Sequence, residues 1–220
     1  MGQKQPSETR FARIHYVHQM IESWFPTLVY QELLDYNSNQ ILIDKAYSIQ
    51  KQSPAVHTDW RCDTYNTVSN YNFFDDSVLI DLIDRVSEHV KIFATLYGAT
   101  KHNVVCKDAW FNIASPGSYQ EYHNHAGRHF SAVYYISTPV NSGRIVFKST
   151  DTLVDMFPLP LTLEEQNVPA SWKTCHYTPV EKKLIIFRSN LQHMVEKNLS
   201  NSDRITIAMN FNLERADGNI

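Results

Sequence analysis

Cysteine is scarce in this 220-residue chain, and its three residues (Cys62, Cys106 and Cys175) are odd in number, widely spaced and form no CxxC pair. That excludes a disulfide framework and suits a reducing cytosol. Neither sign of charge is in excess, with 20 Lys and Arg against 23 Asp and Glu. No polybasic footprint therefore argues for nucleic acid or an anionic membrane. Long apolar runs are missing too, so no segment reads as a membrane span. The polar stretch Met1–Arg10 lacks a signal-peptide core. Met1-Gly2 opens like a myristoylation start, but Pro6 stands where Ser or Thr is required. There is no internal repeat and no low-complexity linker. The expectation is a soluble cytoplasmic protein with neither nucleic acid nor membrane as partner. A chain this long can bury one sizeable core, so a single domain over residues 1–220 is the simplest organisation.

What is present divides into two parts: an N-terminal strand with supporting helices over 1–103, and a β-rich core over 104–213. Trp24–Tyr30 reads as an early strand with Pro26 near its start, where a missing donor is tolerated. Asn39–Gln52 reads as a helix. Asp76–Tyr97 is the clearest helix. Leu79, Leu82, Ile83, Val86, Val90 and Phe93 recur at three- and four-residue spacing, Asp76 can cap it and Gly98 can end it. From about residue 104 the period becomes two. Strands are expected near Val104–Ile113, Tyr119–His125, Ser131–Ser137, Arg144–Phe147, Lys183–Phe187, His193–Glu196 and Arg204–Leu213, with turns at Pro116-Gly117 and Asn141-Ser142-Gly143. The proline-bearing segment Thr150–Thr178 reads as a long loop over the site. The fold class is α+β, mainly β: a double-stranded β-helix (jelly roll) with flanking N-terminal helices.

The chemistry concentrates in His123-Asn124-His125, His193 and Arg204-Ile205-Thr206. Histidines at i and i+2 of an extended strand share a side, and a third from another strand can complete one face of a metal's coordination sphere. Such a facial set leaves positions open for substrate and oxygen. The arginine eleven residues beyond His193 is a fixed fork for a carboxylate. In the last strand Ile205, Ile207, Met209, Phe211 and Leu213 make one apolar face. Arg204, Thr206, Ala208, Asn210 and Asn212 make the other, read as the lining of a polar cavity rather than a solvent face. His57, His102 and His176 read as ordinary histidines, and His129 as pocket rim. Trp110 and Phe111 read as core.

In their order, Trp110-Phe111-Asn112, Gly117-Ser118-Tyr119, His123-Asn124-His125, Ser131-Ala132-Val133-Tyr134-Tyr135, Leu184-Ile185-Ile186-Phe187, His193 and Arg204-Ile205-Thr206 resemble the iron- and 2-oxoglutarate-dependent oxygenase superfamily. More narrowly they are similar to the small 2OG-Fe(II) oxygenase family of marine bacteria and phages, in the prolyl-hydroxylase-like branch. The resemblance covers residues 104–213, and more thinly Trp24–Tyr30 with the helices that follow. It implies Fe(II) held by His123, His125 and His193. His125 sits where most of the superfamily has aspartate. Glu121 shares the strand parity of both histidines and could supply a carboxylate instead. It further implies 2-oxoglutarate bound through Arg204, with Thr206 and Tyr135 on the same carboxylate. Asn112 would orient the oxo acid or substrate, a role for which Asn198 and Asn210 have comparable claims. O2 is the co-substrate, succinate and CO2 are released, and a peptide or protein side chain or a small molecule is hydroxylated at a C–H bond.

Two other readings fit parts of this pattern. A three-histidine, cupin-like dioxygenase would use no oxo acid, and Arg204 would then have nothing to hold. A non-catalytic jelly-roll module with structural zinc would want a fourth ligand, often cysteine, and none lies near the histidines in sequence.

Overall fold

The computed structural model describes residues 22–54, 64–151, 156–166 and 168–216; His57 and Cys62 lie outside them. Two helices, α1 (Asn39–Gln52) and α2 (Ser77–Thr95), form where the apolar spacing places them. The Asp76 side chain accepts the Val78 N–H at 3.0 Å and so caps α2. It also accepts the Tyr71 hydroxyl at 2.7 Å and the Lys45 ammonium, which ties α1 to the start of α2. Gly98, at φ 81°, takes the left-handed turn that follows the helix. The stripe predicted for α2 is buried from Leu79 to Phe93.

Among the described residues ten strands form two antiparallel sheets: β1 (Val29–Leu33), β2 (Tyr65–Asn66), β3 (His102–Ala114), β4 (Gln120–His123), β5 (Phe130–Ser137), β6 (Ile145–Lys148), β7 (Thr174–Tyr177), β8 (Lys183–Arg188), β9 (His193–Val195) and β10 (Arg204–Arg215). The larger sheet runs β1-β8-β5-β10-β3-β2 and the smaller β4-β9-β6-β7. Neighbours that are distant in sequence, with two sheets facing each other, make the double-stranded β-helix. α1 and α2 cover the outer face of the larger sheet.

Strand alternation divides the interior into two cores. Ile205, Ile207, Met209 and Phe211 of β10 join Leu82, Val86 and Phe93 of α2 in the core beneath the helices. Tyr135, Ile145, Phe147, Ile185, Phe187 and Leu191 form the second core, between the sheets. The opposite face of β10 looks into the space between the sheets, where Arg204, Thr206 and Ala208 line a cavity.

Four expectations need correction. The first strand begins at Val29, not Trp24: Phe25 is left-handed at φ 56° with Pro26 after it, a break that no strand tolerates. The two-residue β2 is too short to leave a period in the sequence. Thr150–Thr178 is not one loop, because Thr174–Tyr177 pairs with β6 as the edge strand β7 and Pro169–Ser171 makes a 3₁₀ turn. None of its described residues lines the cavity. Finally, β4 ends at His123, which leaves His125 outside the ladder. Among the described residues, no helix is long and apolar enough to cross a membrane.

Candidate metal centre and adjoining cavity

His123 ends β4 and His193 begins β9, and the two are directly paired across the smaller sheet. Their ring centroids lie 4.2 Å apart. His125, two residues past the strand, brings its ring parallel to His193 at 5.2 Å. One nitrogen from each of the three rings lies within 4.8 Å of the others, a spacing at which a single ion can be shared. Glu121 does not take part. The register of β4 shifts between Gln120 and His123, which breaks the parity argument, and the Glu121 side chain is exposed.

The ring nitrogens pointing away from the cluster have defined partners. His123 Nδ1 lies 2.7 Å from the Glu121 carbonyl, and His193 Nδ1 lies 2.9 Å from the Leu191 carbonyl. A carbonyl only accepts, so each Nδ1 carries the proton and each Nε2 carries the lone pair. This outer bonding is how metal-binding histidines are usually oriented. Burial, followed by the charges of neighbouring rings, pushes His125 down to about 4 and His193 down to about 3. Burial also lowers His123. All three rings are neutral donors at physiological pH. The donor set therefore fits a divalent transition metal.

From the histidines a cavity open to solvent extends between the sheets. The register of the larger sheet sets its floor. Thr206 lies opposite Asn112 on one side and Tyr135 on the other, so three polar side chains stand abreast across β3, β10 and β5. The next row toward the histidines is Trp110, Ala208 and Val133. Arg204 closes the end away from the cluster.

Arg204 is 4% exposed. One terminal nitrogen donates to the Ser142 carbonyl and, at 3.2 Å, to the Gly143 carbonyl. Among the described residues no carboxylate forms an ion pair with it; nearby Glu196 is engaged by Arg144 at 2.7 and 2.6 Å. A buried guanidinium facing a cavity without an acidic partner is a site for an anion. Gly143, at φ 89°, makes the seat possible. A Cβ there would meet the Glu196 carbonyl oxygen at 2.2 Å and the arginine nitrogen at 3.0 Å. The Tyr135 phenol, raised by burial to about 12 despite the nearby arginine, stays protonated and can donate to the same anion.

The structure thus brings His123, His125, His193, Arg204, Tyr135, Thr206 and Asn112 to one cavity. It does not bring the others there. Asn198 braces a turn, donating to the Ala114 and Ser202 carbonyls at 2.8 and 2.9 Å. His129 is no pocket rim; its Nδ1 accepts the Leu213 N–H at 3.0 Å. Phe111 is core as expected, but Trp110 is not merely core. It lines the cavity, stacks on His125 with centroids 5.8 Å apart, and donates to the Asn112 Oδ1 at 3.2 Å. Strand parity carried the signal, since Trp110 and Asn112 share a face of β3. Phe187, whose ring packs edge-on to His193 at 4.7 Å, gave no such sign in a continuous apolar run.

Residues 108–210 match the model of a family described as "Putative 2OG-Fe(II) oxygenase". No curated protein sequence matches the chain. Among solved structures, a Pseudomonas putida prolyl-4-hydroxylase is similar over 84% of this chain and 92% of its own, at 12% identity and a TM-score of 0.58. The carbocyclase SnoK from nogalamycin biosynthesis is similar over 87% of this chain and 83% of its own, at 11% identity and a TM-score of 0.58. The epimerase SnoN, solved with Fe3+, alpha ketoglutarate and nogalamycin RO, is similar over 84% of this chain and 78% of its own, at 13% identity and a TM-score of 0.56. At such identities the likeness establishes the fold. The match to the 2OG-Fe(II) oxygenase family model spans all three histidines and Arg204, and the chain around it has the fold of these solved structures.

Proposed function

We propose that this protein is an Fe(II)- and 2-oxoglutarate-dependent dioxygenase that hydroxylates a C–H bond. In this reading His123, His125 and His193 hold the iron and Arg204 anchors the oxo acid. The observation that carries it is the buried Arg204 without a carboxylate partner, at one end of a cavity whose other end holds three converging neutral imidazoles. Bound together, iron(II) and 2-oxoglutarate would supply a two-electron oxidation of substrate by O2, coupled to loss of CO2 and release of succinate.

The chain's own residues would do the rest. Arg204 presents its fork to the distal carboxylate, a charge-assisted contact with a guanidinium that is itself buried. Tyr135 and Thr206 add hydroxyl donors on the same face of the sheet. Asn112, in the row with Thr206, orients the oxo acid. Trp110 and Phe187 wall the histidines with apolar surface and keep the reacting end dry. Three neutral ligands leave the metal both its charges, unlike a site with a carboxylate. SnoN, a neighbour solved with Fe3+ and alpha ketoglutarate, supports this choice of cofactors. Oxidation without an oxo acid would leave the buried charge of Arg204 unanswered. Neighbours named as a prolyl hydroxylase, a carbocyclase and an epimerase share the fold, so the fold does not choose the substrate.

The test is an anaerobic titration of the iron(II)-loaded protein with 2-oxoglutarate, followed by the visible charge-transfer band of the chelate. A saturable band in the wild type is expected, absent in His123→Ala for want of metal. In Arg204→Ala it should require far more 2-oxoglutarate while iron binding persists. Iron binding with no band at any concentration would sink the proposal.

A further inference from the structure

His125 stands beyond the end of β4, so the pleat that aims His123 and His193 does not aim it. Its main chain is tied down. Its N–H donates to the Ser189 carbonyl at 2.8 Å, and its carbonyl accepts the Arg128 N–H at 3.3 Å. Those bonds place the Cα and leave the ring undetermined. Stacking on Trp110 fixes the ring plane but allows two orientations a half-turn apart, in which Nδ1 trades places with Cδ2 and Nε2 with Cε1. The choice between them needs a polar group at the ring edge. For the other two histidines a backbone carbonyl does this. For His125 the group beside the ring is the Asn210 side chain.

Asn210 lies on β10 opposite Asp108 of β3 and Ser131 of β5. Its Oδ1 accepts the Ser131 hydroxyl at 2.8 Å, and its Nδ2 donates to Asp108 Oδ2 at 3.4 Å. Asp108 is clamped by Arg128 through two bonds of 2.6 and 3.1 Å. Ser131 is in turn bonded to Ser189 at 2.8 Å, closing the network on the residue that holds the His125 main chain. A carboxylate only accepts, so Asp108 dictates that the Asn210 amide nitrogen faces it and that the oxygen faces the Ser131 hydroxyl, which leaves the oxygen's second lone pair for the neighbouring imidazole. An oxygen at the ring edge selects an N–H there and leaves the lone pair on the opposite nitrogen.

We infer that Asn210, oriented by the Asp108–Arg128 pair, is the positioning residue of the third metal ligand, setting both the rotamer and the tautomer of His125. This rests on the reading of the three histidines as the metal site. It also answers a need created by having histidine where aspartate is usual: an imidazole must have its tautomer chosen, and a carboxylate has none to choose.

Co(II) is the probe, titrated without 2-oxoglutarate and followed by its visible spectrum. Asn210→Leu should weaken Co(II) binding about 10- to 100-fold, whereas Asn210→Asp, which keeps an acceptor at the ring edge, should stay within about threefold of the wild type. Equal binding by all three proteins, or equal loss in both variants, overturns the inference. A second measurement needs no variant. In the metal-free wild type with ¹⁵N-labelled histidine, His125 should show one tautomer near neutral pH, its proton on the nitrogen facing Asn210; a mixture of tautomers overturns the inference. If the wild type itself fails to bind Co(II), the metal-site reading falls first and takes this one with it. Wild-type binding that is lost in His123→Ala, with Asn210→Leu unaffected, would remove the inference alone.

Discussion

Replacing Arg204 by methionine separates a residue kept for a ligand from one kept for the fold. The side chain is 4% exposed and its hydrogen bonds go to two carbonyls rather than to an acid. Removing it leaves the Ser142 and Gly143 carbonyls short of a donor, at about 1–3 kcal/mol each. It also removes a buried charge whose desolvation costs several kcal/mol. These contributions oppose each other at similar size, so the melting temperature of the ligand-free protein should be unchanged or raised. The response to 2-oxoglutarate should change sharply. A ligand at 100 times its Kd stabilises the folded state by about 2.7 kcal/mol, which for a domain of this size is roughly 5–10 °C. Losing a buried charge pair with the carboxylate costs about 2–5 kcal/mol, enough to cut that stabilisation to less than about 1 kcal/mol at the same concentration. The assay is an anaerobic melting curve of the metal-loaded protein with and without 2-oxoglutarate, for the wild type and Arg204→Met. A ligand-free variant that melts many degrees lower would mark Arg204 as a structural residue. A ligand shift that survives the substitution would place the oxo acid elsewhere.

Gly143→Ala should destabilise the protein by about 2–4 kcal/mol in urea unfolding, because its methyl group would collide with the Glu196 carbonyl and crowd the Arg204 guanidinium and its φ is positive. A cost below about 0.5 kcal/mol would show that the turn can open at no loss. The metal-free protein should lose stability in acid. With His125 near 4 and His193 near 3 in the folded state, the unfolded chain binds protons first below about pH 6.5, so stability is full above that pH and declines as pH falls toward 3. Urea midpoints that do not differ between pH 7 and pH 5 would contradict the burial of neutral rings. Trp110→Leu removes the stack on His125, worth about 0.5–1.5 kcal/mol, and should weaken Co(II) binding about 2- to 10-fold. An unchanged affinity would show that the polar network alone holds the ring.

Much of this architecture could be read directly from residue order. The apolar spacing of α2 and its Asp76 cap are local, and local signals survive folding unchanged. The alternation of β10 is also local: it separated the apolar face, which packs into the core beneath the helices, from the polar face, of which Arg204, Thr206 and Ala208 line the cavity while Asn210 and Asn212 do not. What escaped was either short or non-local. The strands β2 and β7 span two and four residues and exist through their partners β3 and β6. The register shift in β4 is a property of its pairing with β9, so Glu121 could not be set aside from parity alone. His125 reaches the cluster although it lies outside the strand that the expectation relied on. The Asp108–Arg128 clamp joins residues twenty positions apart that nothing in the sequence relates.

One strand, β10, serves as a wall between two interiors, and this constrains how the chain can vary in length. Inserting or deleting a single residue within it would turn Ile207 into the cavity and Thr206 against the helices, exchanging the two faces at once. The connection from β6 to the edge strand β7 carries no such burden, since the described residues between them stay clear of the cavity. Length differences among chains that share this fold should therefore gather between residues 149 and 173, while the span from Arg204 to Asn210 keeps its count.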